Sequence, residues 1–184
     1  MNWDRYFIEM AMLVAKKSKD PSTKVGCVLV GPENQVISTG FNGFPRGVRE
    51  HALVPMRRRD PDGIERVDAI ATPELEHARW NIRPDKYQWV EHAERNAIYN
   101  AARHGIALRG ARAYVNWSPV PCADCARAFI QAGIAEIIGP DIPFPGVGAG
   151  KHYSFGDIAR TMLEEAGVTI RVVTWRKEEV AAHS

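Results

Sequence analysis

The chain has 184 residues, 45% of them hydrophobic and 25% charged, with a formal net charge of +2 at neutral pH. That length suits one domain with its own buried core, and the near-balance of charge argues against the broad basic footprint of a protein that binds a nucleic-acid polymer. Three cysteines, two of them three positions apart, do not make a secreted disulfide framework, and a reducing, cytoplasmic setting is expected. No stretch approaches the roughly 18 apolar residues of a membrane span, and the charged start Met1-Asn2-Trp3-Asp4-Arg5-Tyr6 is unlike a signal peptide.

In chain order, Asn2 is placed to cap a helix over residues 3 to 17, in which Phe7, Met10, Ala11 and Val14 recur at helical spacing before Lys16 and Lys17. Pro21 lies in the polar stretch that ends it. Val25 to Val30 is short, apolar and β-branched, Gly31-Pro32-Glu33-Asn34 marks a turn, and Gln35 to Phe41 alternates. The pair predicts an antiparallel hairpin, followed by the glycine-punctuated loop Gly40 to Gly47. From there to Val90 periodicity is poor. The stretch holds the basic run Arg57-Arg58-Arg59, a turn at Asp60-Pro61-Asp62-Gly63 and a short helix start at Thr72-Pro73, and is expected to be a solvated excursion that packs against a neighbouring subunit, with a lid or a phosphate contact as the alternative.

Helical spacing resumes from His92 to His104, with Ala93, Ala97, Ile98 and Ala101 on one side and Gly105 as the stop. Ala111 to Trp117 predicts a strand, Cys122 to Ala132 a helix closed by Gly133, and Glu136 to Gly139 a short buried strand. After the Pro/Gly-rich loop 140–153, Ser154 starts a helix to Ala166, and Val168 to Trp175 predicts the last strand. Strands alternating with helices after an opening hairpin imply an α/β layered fold with parallel crossovers in its second half.

Two helix starts carry the chemistry. His92 and Glu94, two residues apart, open one; Cys122 and Cys125, three apart behind Pro121, open another. A helix N-terminus has free N–H groups and a partial positive charge, so both thiols are expected to ionise more readily there than in water. His92, Cys122 and Cys125 make three zinc ligands with a fourth position open, the pattern of a catalytic rather than a structural site. Zinc there would bring the pKa of a bound water toward about 7, and Glu94 is the adjacent carboxylate able to accept and return protons. A structural zinc has no use for that carboxylate, which separates the catalytic reading from a zinc module used only for binding. Cys27, in an apolar strand, is expected to be a buried and inert thiol. His51, His77, His152 and His183 have no visible partner ligand, and His104, in the last turn of its helix, suits the helix dipole.

His-x-Glu followed by Pro-Cys-x-x-Cys is the zinc deaminase signature. With Ser18-Lys19-Asp20-Pro21-Ser22-Thr23-Lys24-Val25-Gly26, Gly40-Phe41-Asn42-Gly43-Phe44-Pro45, His92-Ala93-Glu94-Arg95-Asn96-Ala97-Ile98, Pro121 to Cys125 and Gln131-Ala132-Gly133-Ile134, the chain resembles the cytidine and deoxycytidylate deaminase superfamily from Trp3 to Val172. Within that superfamily the Lys-Asp-Pro and Phe-Asn-Gly segments are similar to the deoxycytidylate (dCMP) deaminases. The resemblance implies an α/β fold of three α/β/α layers around a five-stranded mixed sheet. It implies one zinc-dependent deaminase domain over residues 1–184, interrupted in this chain by a long insertion at about 48–90. The implied reaction is hydrolysis of dCMP to dUMP and ammonia, with Zn2+ on His92, Cys122 and Cys125 and Glu94 as proton carrier. The substrate is then a small deoxynucleotide, and the assembly a homo-oligomer, commonly a hexamer. By the same resemblance the Ala93 N–H would hold the pyrimidine carbonyl, Asn42 would approach the sugar or an effector nucleotide, and Tyr153 would line the site. Lys19, Lys24 and Arg46 are the candidate cations for a 5′-phosphate, with Lys24 the leading one. Other cytosine substrates (dCTP, a modified dCMP, cytidine) stay open. This chain departs from the family at Phe41, where regulated relatives carry a tyrosine, at the longer approach Asn116 to Val120, and at the long excursion before His92.

Overall fold

The computed structural model describes residues 2–48, 61–64, 80, 86–143 and 154–175, together with the strand backbones at 54–59 and 65–70; for 154 and 155 it describes the backbone alone. They divide into two compact units, one of residues 1–43 and 92–184 and one of residues 44–91.

The first unit begins with α1 (Trp3–Ala15), whose N-cap Asn2 accepts the Arg5 N–H at 2.8 Å through its side chain. Phe7, Ile8, Ala11 and Ala15 are its buried face, with Met10 and Val14 packed at the margin. The hairpin follows as β1 (Gly26–Val30) and β2 (Val36–Phe41), then α3 (Ala93–Arg103), β5 (Arg112–Val115), α4 (Ala123–Ala132), β6 (Glu136–Pro140), α5 (Ser154–Glu165) and β7 (Thr169–Val173). The second unit holds β3 (Val54–Arg59), β4 (Glu65–Ile70) and the short α2 (Lys86–Trp89).

The five strands of the first unit form one mixed sheet in the order β2-β1-β5-β6-β7. β1 is antiparallel to β2 and β5, whereas β5, β6 and β7 run parallel. The right-hand half is parallel because each strand there is joined to the next by a helix, the crossover a parallel pair requires. Every residue of β1 is buried, as expected of a central strand covered on both faces. Cys27 and Leu29 face α3, α4 and α5, in a core with Ala93, Ala97, Phe129, Ile137 and Leu163. Val28 and Val30 face α1, in a second core with Phe7, Ile8, Tyr114 and Ile138. That is the three-layer arrangement.

Two glycines set how closely helices approach the sheet. A Cβ at Gly26 would strike the backbone of Ala11 and Ala15 in α1, and one at Gly40 the backbone of Ala93 and Ala97 in α3. The edge strand β2 is closed by side chains of α3: Asn96 Nδ2 donates to the Phe41 carbonyl at 2.8 Å and Asn100 Nδ2 to the Thr39 carbonyl at 2.7 Å. Ser38 returns the contact by donating to the Ala97 carbonyl at 2.8 Å. These bonds use carbonyls that an open edge would offer to another chain.

On the α1 face a charged network ties the N-terminus to the far strands. Arg171 of β7 bonds Asp4 Oδ1 at 2.9 Å and Glu136 Oε1 at 2.8 Å, and the Tyr114 hydroxyl donates to Asp4 Oδ1 at 3.0 Å. The Arg171 guanidinium holds the Asp4 carboxyl below its ordinary 3.8. Being lower in the fold than in the unfolded chain, this pKa stabilises the protein fully above 3.8, and the contribution disappears as pH falls through the folded value. Asp4→Asn should therefore cost about 1 kcal/mol at neutral pH, a modest amount because the pair is partly solvated. Chemical denaturation of both proteins should show the gap closing in acid; a gap independent of pH would refute the ionic origin.

In the second unit β3 and β4 pair antiparallel, Val54 opposite Ile70 and Arg59 opposite Glu65. The sequence predicts the turn between them but not the strands. Phe44 packs edge-on against Trp80 with ring centroids 4.6 Å apart, and Lys86 Nζ lies 5.7 Å from the Trp80 ring centroid. The helix start expected at Thr72-Pro73 lies outside the described residues.

Candidate metal centre and active site

Antiparallel pairing of β1 and β5 sets Cys27 opposite Val115, so the N-terminal end of β1 and the C-terminal end of β5 share one edge of the sheet. The chain leaving β5 there runs directly to Cys122, at the start of α4. Across from it, α3 begins at His92.

His92 and Cys122 are the N-caps of these two helices, both extended in backbone, and neither side chain makes a capping hydrogen bond. The imidazole and thiol turn toward each other instead. His92 Nδ1 lies 3.4 Å from Cys122 Sγ and 3.4 Å from Cys125 Sγ. Zinc–sulfur and zinc–nitrogen bonds of ordinary length, set at a tetrahedral angle, put N and S about 3.6 Å apart. Both nitrogen–sulfur distances are close to that span, so the donor set fits the ion. Among the described residues, His92, Cys122 and Cys125 form the one such cluster, with their donor atoms all within 4.8 Å of one another.

The expectation that both thiols ionise readily holds for one of them. A hydrogen bond from Cys125 holds Cys122 down at about 4, aided by His92. Cys125, which donates that bond and is buried, is pushed well above the ordinary thiol value. The Cys122 thiolate in turn raises His92 to about 9. Without metal the site thus holds a thiolate, a thiol and an imidazolium. Two of the three donors carry a proton at neutral pH that a metal must displace. Zinc affinity should accordingly rise between pH 6 and 9 as His92 gives up its proton. Competition against a chromophoric chelator would measure it, and a pH-independent affinity would contradict these charges.

Glu94 stands in the first turn of α3, partly buried, and burial pushes its carboxyl above the ordinary value against the attraction of His92. A carboxyl biased toward its neutral form gives up and recovers a proton more readily near neutrality than a solvated one. Arg95, the next residue, reaches Asp124 between the two cysteines, with Nη1 to Oδ2 at 3.9 Å, an ion pair joining the two helix starts.

Of the remaining candidates, Ala93 is fully buried at the head of α3. Asn42 is buried, and its side chain is engaged internally: Oδ1 accepts the Val25 N–H at 2.8 Å, and Nδ2 donates to the Thr23 carbonyl at 2.9 Å and Asp20 Oδ2 at 3.2 Å. Lys24 is exposed on the strand-entry loop. Tyr153 lies outside the described residues. Cys27 is fully buried in β1 and its thiol is pushed far up by that burial. The roles of Asn116 and Trp117 were not legible beyond the unusual length of their segment. Both follow the end of β5 at Val115 and donate to the Lys24 carbonyl, at 3.2 and 3.0 Å.

Comparison with known proteins bears directly on this site. The family model for the cytidine and deoxycytidylate deaminase zinc-binding region matches residues 1–139. The chain is 33% identical to the deoxycytidylate deaminase of Mus musculus over 176 residues, 95% of this chain and 81% of that protein. It is 34% identical to a probable deoxycytidylate deaminase of Drosophila melanogaster over 138 residues, 75% of this chain but 59% of that protein. The fold is similar to that of the dCMP deaminase from cyanophage S-TIM5, solved in complex with dCMP and dUMP, with a TM-score of 0.60 and 21% identity over 92% of this chain and 95% of that one. Because the family match runs through both helix starts, site and family are a single finding: this chain is a zinc-dependent enzyme of the cytidine and deoxycytidylate deaminase family.

Proposed function

We propose that the chain hydrolyses dCMP to dUMP and ammonia. The observation that carries this choice of substrate is its 33% identity over 95% of its length to a deoxycytidylate deaminase. When bound, zinc supplies the Lewis acidity that makes water nucleophilic at neutral pH. Glu94 accepts the proton of the attacking water and passes it to ring N3 as the new C4–O bond forms. The same carboxyl then carries the remaining proton of the C4 hydroxyl to the amino group, the C4–N bond breaks as the C4 carbonyl forms, and ammonia leaves. The Ala93 N–H, one of the free donors of a helix N-terminus, holds the pyrimidine carbonyl. Lys24 supplies the cation for the 5′-phosphate, since it is exposed at the sheet edge that leads to Cys122. Asn42 shapes the sugar subsite by fixing the loop around it, and Tyr153 lines the pocket.

Residues 1–184 act as one deaminase domain with a long insertion at about 48–90, which falls within the compact unit from Phe44 to Glu91. The enzyme works as a homo-oligomer, with a hexamer favoured. Trp3, Tyr6 and Leu13, exposed by 56%, 44% and 65% along one side of α1, are the apolar surface such an assembly would cover. Among the described residues no helix is long and apolar enough to cross a membrane.

Ammonia release from dCMP, deoxycytidine, dCTP and methylated dCMP at equal concentration tests the substrate. The expected order places dCMP first; turnover of another member with none of dCMP would reject it.

A further inference from the structure

Residues Thr23 to Gly26 lie between the α1 loop and β1, outside regular structure until Gly26, yet their backbone is held almost group by group by three side chains. On one side Asn42 takes the Val25 N–H and the Thr23 carbonyl. On the other, Asn116 Oδ1 accepts the Gly26 N–H at 2.9 Å, while Asn116 Nδ2 and Trp117 Nε1 both donate to the Lys24 carbonyl. Asn116 is 7% exposed, so its amide is committed to these bonds. A carbonyl that accepts two donors has both lone pairs engaged, and the residue that owns it has an exposed side chain.

Such a clamp is more than strand entry requires. A loop backbone can satisfy its polar groups with water, and a freely moving lysine on it would lose entropy on meeting an anion. Fixing the Cα of that lysine removes part of the cost before binding. The clamp also comes from the stretch that leads to the zinc cysteines, so Lys24 is tied to the chain only five residues before Cys122.

We infer that Asn116 and Trp117 are positioning residues for phosphate recognition, holding the Lys24 backbone so that its ammonium meets the 5′-phosphate of a nucleotide and the enzyme discriminates nucleotide from nucleoside. The inference rests on the proposed reading of Lys24 as the phosphate contact.

The test uses the zinc-loaded protein with dCMP and deoxycytidine as paired substrates. Trp117→Phe removes only the indole N–H, and Asn116→Asp keeps the acceptor for Gly26 while removing the donor to Lys24. Each should raise KM for dCMP about fivefold, the worth of one hydrogen bond, with a smaller change in kcat and less than about a twofold change in KM for deoxycytidine. Lys24→Ala should raise KM for dCMP at least about tenfold, and adding Trp117→Phe to it should do no further harm, since both act through one contact. Equal losses on both substrates, or additivity with Lys24→Ala, would overturn the inference while leaving the proposed substrate standing. Lys24→Ala without effect would overturn it too. Wild-type enzyme with no preference for dCMP over deoxycytidine would instead reject the nucleotide reading on which it rests. Zinc content and Tm of each variant establish folding; if Trp117→Phe does not fold, Asn116→Asp carries the same comparison.

Discussion

Glu94→Gln should abolish deamination while leaving zinc in place. The substitution keeps the length and shape of the side chain, and the ligands His92, Cys122 and Cys125 are untouched, so the metal stays bound. An amide, however, cannot take a proton from water, carry it to a ring nitrogen and then protonate a leaving amine. A single positioned acid–base group contributes about 10²–10⁴-fold to a rate, and here one carboxyl serves both the attack and the departure, so the loss belongs at the upper end of that range or beyond. The setting of Glu94 supports the assignment. Burial raises its proton affinity above that of an ordinary carboxyl, although His92 opposes the shift, which suits a group that must both take and return a proton. Ammonia release under saturating substrate, paired with metal analysis of the same sample, makes the measurement. A rate within a few-fold of wild type would remove Glu94 from the mechanism. Parallel loss of zinc and rate would make it a structural residue of the metal centre.

What could be read from the residues alone follows from which features are local. α1 has its cap and its apolar spacing written within fifteen positions; the structure keeps the cap and buries Phe7 and Ala11, while Ile8 and Ala15 take the deep positions expected of Met10 and Val14, which pack at the margin. The zinc ligands were legible because cysteines three apart at a helix start are brought together by local geometry, and His92 is the third donor their chemistry calls for. The hairpin of β3 and β4 was not legible. Val54-Pro55-Met56-Arg57-Arg58-Arg59 has a proline and three adjacent cations in place of β-branched alternation, so only its turn announced itself. The charge states of the two thiols were also hidden, because a hydrogen bond between them decides which one keeps its proton, and that bond depends on placement and not on spacing. Asn116 and Trp117 read as the end of a strand. Their partner is Lys24, about ninety residues away in the chain, and no local pattern encodes such a pairing.

Gly40 encodes another long-range requirement, and its replacement is the substitution outside the metal centre expected to do most damage. A glycine within a strand marks a place where something comes close. Here it is the backbone of α3: a Cβ at Gly40 would overlap the Ala93 carbonyl oxygen and the Ala97 nitrogen, and would lie 2.9 Å from the Ala97 Cα. None of these atoms can rotate away as a side-chain tip could, so Gly40→Ala must push the helix off the sheet or bend the strand. Either movement strains the bonds from Asn96, Asn100 and Ser38 that fasten α3 to β2. We expect a loss of about 3 kcal/mol or more, beyond the usual cost of overpacking because the obstacle is main chain, and a fall in Tm of about 6–12 °C for a chain of this size. The consequence for function is larger than for stability. Ala93 lies between His92 and Glu94, so the first turn of α3 cannot shift without carrying the imidazole away from the two sulfurs, and zinc affinity and turnover should fall together. Gly43→Ala is the control, since a Cβ there meets only the Phe41 ring at 3.8 Å, and its effect should stay within about 0.5 kcal/mol. Thermal melts with metal analysis on both variants would decide the matter. A Gly40→Ala protein that melts and binds zinc like wild type would show that α3 is positioned by its side-chain bonds alone, with the missing Cβ irrelevant to how the metal centre is assembled.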